Sequence, residues 1–154
     1  MPLLSSELLL VAGALIWVAP VAGQQGRELG IQAVATTSDP ALAVGGLYGG
    51  IRTSARTRLS ASAGVGISSR DPAFRGEILG HFLLRPDRRR GAAFYLAGGV
   101  AVVGGPVDRG YLVLTAGLEQ RPAAGSGWVV EAGVGGGVRL ALGYRWRRWK
   151  PAVP

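Results

Sequence analysis

The sequence contains no cysteine. That absence removes disulfide frameworks, thiolate metal sites and cysteine nucleophiles. It also removes the residue on which a bacterial lipid anchor would be built. Histidine occurs once, as His81, beside nine scattered Asp and Glu. A metal site needs several such ligands at fixed spacing, so neither a metal nor another cofactor is expected. Charge is scarce, at 17 % of residues, yet no stretch after residue 23 reaches the eighteen or so apolar residues of a membrane helix. Of the 17 basic residues only Lys150 is a lysine, so the chain relies almost wholly on guanidinium groups.

Glycine is abundant, with 26 residues. Each costs a helix interior about 1 kcal/mol, which disfavours an all-helical fold. Mean hydropathy is positive, at +0.28. Apolarity spread through alternating segments, with no long run, is the pattern of strands that cross a membrane.

Residues 1–23 read as an export signal. An apolar stretch from Leu8 to Val18 is followed by Pro20 and the small-residue site Val21-Ala22-Gly23. The run is short for a transmembrane span, although Glu7 stands where a basic residue is usual and a retained anchor is the rival reading. The expected organisation is a signal peptide at 1–23, a β-barrel at 24–150 and a short tail at 151–154.

Eight alternating segments follow, at 28–37, 41–53, 57–68, 73–84, 92–103, 110–121, 127–134 and 138–147. Pro, Gly, Asp and Ser separate them, each a turn former for its own reason. Period two sorts every segment into two faces. In the last, Val138, Leu140, Leu142, Tyr144 and Trp146 oppose Arg139, Ala141, Gly143, Arg145 and Arg147. In the fourth, Ile78, Gly80, Phe82 and Leu84 oppose Arg75, Glu77, Leu79 and His81. One face is apolar and the other is small or polar. A soluble exported barrel would turn the apolar face inward, around an apolar ligand. A membrane barrel would turn it outward. The small second face, the export signal and aromatics near strand ends (Tyr48, Tyr111, Trp128, Tyr144 and Trp146) favour the membrane barrel, with those aromatics as its interfacial girdle.

Strands such as AFYLAGGVAVVGG and GGGVRLALGYRW, together with the signal and the count of eight, resemble the small outer-membrane β-barrels of Gram-negative bacteria, the OmpA-type group of the porin superfamily. The resemblance implies an all-β fold: a closed, antiparallel, up-and-down transmembrane barrel with both termini in the periplasm. It implies an outer-membrane location. It also implies that assembly machinery acts as a partner, reading an aromatic in the last strand, where this chain has Trp146 and Trp149.

Two polar groupings stand out. Arg58, Arg75, Glu77, His81 and Glu131 fall on small or polar faces, and are expected to form a network that fills the lumen, because buried charges need partners. Arg88, Arg89, Arg90, Arg145, Arg147, Arg148 and Lys150 cluster toward the periplasmic end, and are expected to form a rim against anionic lipid headgroups or an anionic partner. The expected role is structural or interactive, without catalysis. A lipid-modifying enzyme centred on His81 is the alternative. Ser60 and Ser62 lie on the inward face of the preceding strand, but no nucleophile motif surrounds them. The glycine runs carry no phosphate-loop lysine. The RWRRWK segment has the look of a nucleic-acid binder, but the export signal argues against that partner.

Overall fold

The computed structural model describes residues 26–149. The expected signal segment, Lys150 and the tail lie outside the described residues. Eight strands follow one another: β1 Gly26–Thr36, β2 Leu42–Arg52, β3 Thr57–Ser68, β4 Asp71–Leu83, β5 Ala92–Gly104, β6 Arg109–Gln120, β7 Ser126–Val134 and β8 Val138–Trp149. Each pairs antiparallel with its neighbours in sequence. β1 then pairs with β8, from Gly26 opposite Trp149 to Thr36 opposite Arg139, and closes the barrel. Closure leaves no backbone edge, the condition for a sheet inside hydrocarbon. A strand of twelve residues at about 3.4 Å each, tilted by about 40°, spans roughly 30 Å, enough for a bilayer core.

Burial alternates along the strands with the period read from the sequence. The apolar set faces out. Leu112 is 82 % exposed, Val65 73 % and Leu47 70 %. Inward positions carry Ala, Gly, Ser, Tyr and nearly all the strand charges. On the outward face of the eight strands the only charged residues are Arg27 and Arg148, both at the end that holds the termini. An outer wall of this kind is the pattern of barrels whose strands face lipid. The inward apolar face that the soluble alternative needs is not what the fold has: those side chains line the outer wall.

The connections are short. At the end away from the termini they are 37–41, 69–70, 105–108 and 135–137. The β3–β4 turn is Ser69-Arg70, with φ of 49° and 84°. Both residues are left-handed, as a tight hairpin requires, but neither is the glycine that adopts this conformation without strain. Glycine meets the same demand at Gly136 and Gly137, with φ of 86° and 111°.

Candidate functional site

The lumen is the candidate site. Six arginines are buried in it: Arg52, Arg58, Arg75, Arg139, Arg145 and Arg147. Four glutamates accompany them, Glu28, Glu77, Glu119 and Glu131, which are all the glutamates among the described residues. The described aspartates all sit in or beside turns, so the two acids divide between lumen and rim.

The charges form two sets. Toward the termini, Arg58 Nη1 lies 3.0 Å from Glu28 Oε2 and 3.1 Å from Glu119 Oε2. Arg52 Nε meets Glu28 at 3.5 Å, and Arg147 pairs with Glu119. Toward the other end, Arg139 grips Glu77 through Nε at 2.9 Å and Nη2 at 2.6 Å, and reaches Glu131 through Nη1 at 2.7 Å. Arg75 Nε donates to Glu77 at 2.6 Å, and Arg145 Nη2 to Glu131 at 3.2 Å. Each set therefore joins three arginines to two glutamates; Arg139 bridges one pair of carboxylates, and Arg58 and Arg147 the other. The planar guanidinium suits this work, because its donors reach several carboxylates in fixed directions.

Aromatic rings separate the sets. The Arg145 guanidinium lies 4.0 Å from the Tyr48 ring centre, and Arg58 lies 5.2 Å from that of Tyr95. The Tyr95 hydroxyl donates to Glu131 at 2.5 Å. Glycine makes room for the rings. A Cβ at Gly117 would overlap the Tyr95 ring, and one at Gly50 would crowd the Tyr48 hydroxyl. Turn carbonyls cover the ends: Pro122 accepts from Arg52 at 3.0 Å, Ala124 from Arg147 at 3.3 Å, and Gly135 from Arg75 at 3.0 Å.

The structure places Arg58, Arg75, Glu77, His81 and Glu131 inside, though in different sets. Sequence reasoning left Glu28, Arg52, Glu119 and Arg139 out of this network. All four share the inward parity of their strands, which was the available signal. Arg145 and Arg147 are corrected from rim to lumen, being 2 % and 5 % exposed. Their strand position near the terminus suggested the rim, but their odd parity on β8 turns them inward. Arg88, Arg89, Arg90 and Arg148 are exposed. Two girdle residues are also corrected. Tyr48 points into the lumen with Val44 and Arg52, and Tyr111 is half-buried at the far mouth, against Gly136. Trp128, Tyr144 and Trp146 do face outward, and pack edge to face with ring centres 5.1 and 5.2 Å apart.

His81 has partners that bear on catalysis. Its Nε2 lies 2.7 Å from Ser60 Oγ, and its Nδ1 lies 3.3 Å from Arg58 Nη2. A guanidinium only donates, so Nδ1 accepts and the ring proton sits on Nε2. His81 thus donates to Ser60 and is not placed to take its proton. A hydrolytic triad needs the reverse, with a carboxylate at Nδ1. Glu77, the acid considered for that role, is held by Arg75 and Arg139 instead.

No protein-family model matches this sequence, and no curated protein is significantly similar to it. Solved structures share the fold. The crystal structure of the N-terminal β-barrel domain of Pseudomonas aeruginosa OprF superposes with a TM-score of 0.68 at 13 % identity, covering 82 % of this chain and 99 % of that one. The solution structure of the de novo designed TMB2.3 gives 0.55 at 19 % identity, covering 82 % and 96 %. The likeness is one of architecture: a closed, eight-stranded antiparallel barrel.

Proposed function

We propose that this protein is an integral barrel of the bacterial outer membrane with a structural or interaction role, its lumen closed to solutes and no catalytic step of its own. The observation that supports this reading best is the reversed polarity of the molecule. Apolar side chains cover the wall, while ten interlocked charged groups cross the interior (6 arginines and 4 glutamates). Ion pairs drawn from β1, β2, β3, β4, β6, β7 and β8 tie opposite walls together. A solute would have to break several of them in a region of low dielectric, where an unpaired charge costs several kcal/mol.

The rim supplies the interaction. Arg27, Arg56, Arg85, Arg88, Arg89, Arg90, Arg121 and Arg148 are exposed at the terminal end, against Asp87 alone. The opposite end carries Arg70 and Arg109 against Asp39, Asp71 and Asp108. One end is therefore strongly basic and the other nearly neutral. A basic ring at the edge of an apolar belt suits anionic lipid headgroups, at about 1 kcal/mol per arginine. The enzyme reading centred on His81 is disfavoured by the direction of its hydrogen bond to Ser60.

The test is reconstitution of the folded protein into planar bilayers, beside membrane fractionation. Co-purification with outer membrane and absence of discrete conductance are expected. Steady channel openings would overturn the closed lumen, and recovery in a soluble fraction would overturn the membrane role.

A further inference from the structure

The lumen carries an uncompensated charge. Six guanidiniums face four carboxylates, an excess of two positive charges (6 − 4). A lysine could relieve such an excess by losing its proton, but an arginine cannot. The balancing charge must come from outside the strands. At the terminal end, the carbonyls of Arg121, Pro122 and Ala124 supply part of it as dipoles.

Four luminal arginines keep a buried N–H with no acceptor among the described residues, Arg58, Arg75, Arg145 and Arg147, and of these Arg75 stands in the other set beside a small cavity. Its Nε is taken by Glu77 and its Nη2 by the Gly135 carbonyl, while its Nη1 is buried and has no acceptor among the described residues. A cavity of about 10 Å³ lies against it, bounded by Gln32, Val34, Val44, Ser62, Arg75 and Glu77. That is room for one particle the size of a water molecule. The Gln32 amide and the Ser62 hydroxyl are neutral donors in its wall. Glu77 also lines it, but both its oxygens already accept from arginine, so its charge is compensated there. Water would satisfy the free N–H without touching the charge. An anion does both.

We propose that this cavity, widened slightly by movement of the half-buried Gln32 and Ser62 side chains, binds a small monovalent inorganic anion such as chloride. The proposal goes beyond the closed-lumen reading and is measured separately from it, since conductance reports passage and the experiments below report occupancy. The first is diffraction from detergent-grown crystals soaked in bromide. An anomalous peak beside Arg75 Nη1 is expected. Water at that position, with no bromide at saturating concentration, would overturn the proposal. The second is heat unfolding in detergent, read by gel mobility, with chloride replaced by gluconate at constant ionic strength, gluconate being too large for the cavity. Ligand linkage predicts that the wild-type midpoint climbs by a few degrees per tenfold rise in chloride. Gln32→Leu removes one donor from the wall while leaving the Arg75–Glu77 pair intact, so its midpoint should respond to chloride less than that of the wild type. A rim variant, Arg88→Gln, should keep the chloride response. An equal response in wild type and Gln32→Leu would place the effect elsewhere and sink the proposal.

Discussion

Arg27 and Arg148 stand directly opposite each other across the β1–β8 seam, both on the outward face. Like charges in register repel, and neither has a carboxylate partner among the described residues. The next outward pair toward the membrane centre is Leu29 with Trp146. A phosphate above and acyl chains below would satisfy both pairs. The double variant Arg27→Gln/Arg148→Gln should therefore lose about 2 kcal/mol of the wild type's preference for anionic over zwitterionic vesicles at low salt, the other rim arginines keeping the remainder. Folding titrations in the two vesicle types check this. An unchanged preference in the variant would remove the pair from the rim.

Leu47 lies midway along β2 and is 70 % exposed. Replacing it with Arg should cost about 2–4 kcal/mol if the wall meets lipid, and under about 0.5 kcal/mol if it meets water. Urea unfolding in bilayers gives the number, and a near-zero cost would reverse the orientation.

Glu77 receives Arg75 and Arg139 together. Glu77→Ala leaves two buried guanidiniums short of a counter-charge, and the expected loss is about 3–5 kcal/mol. An exposed turn acid gives the contrast: Asp87→Ala should change stability by under about 0.5 kcal/mol. Equal losses at the two sites would mean that the lumen charges are solvated.

Gly117 faces the Tyr95 ring. Gly117→Val should destabilise by about 1–3 kcal/mol through overpacking. Combining it with Tyr95→Leu should cost less than the sum of the two single changes, because the ring no longer competes for the space. Simple additivity in a double-mutant cycle would show that the two do not touch in solution.

Nitrogen-15 spectra of His81 should report a neutral ring with its proton on Nε2. Ser60→Ala should lower stability by about 1 kcal/mol, the worth of one buried hydrogen bond. A proton on Nδ1 would restore His81 as a base toward Ser60 and reopen the enzyme reading.

Strands and faces were legible in the sequence because alternation is a local property. Val138 to Arg147 sort themselves without knowledge of any neighbour. The division of acids went unread, although Glu28, Glu77, Glu119 and Glu131 stand in strands and Asp39, Asp71, Asp87 and Asp108 at their ends. Errors came where chain position was preferred to parity, as at Tyr48, Arg145 and Arg147. What could not be read was which charge meets which. Arg58 reaches Glu119 across 61 positions of sequence. Arg139 reaches Glu77 across 62. Those meetings depend on strand stagger and barrel closure, which no single segment encodes.

β8 contributes Arg139, Arg145 and Arg147, half of the luminal arginines. Without it, the lumen holds four glutamates and three arginines, Arg52, Arg58 and Arg75. Once it docks, the balance changes sign, from −1 to +2. The pairing changes with it: Glu131 takes both of its arginine partners, Arg139 and Arg145, from β8, so without that strand it is a luminal carboxylate with no guanidinium. A seven-stranded sheet would carry both an unpaired edge and an unpaired Glu131, two features that hydrocarbon penalises.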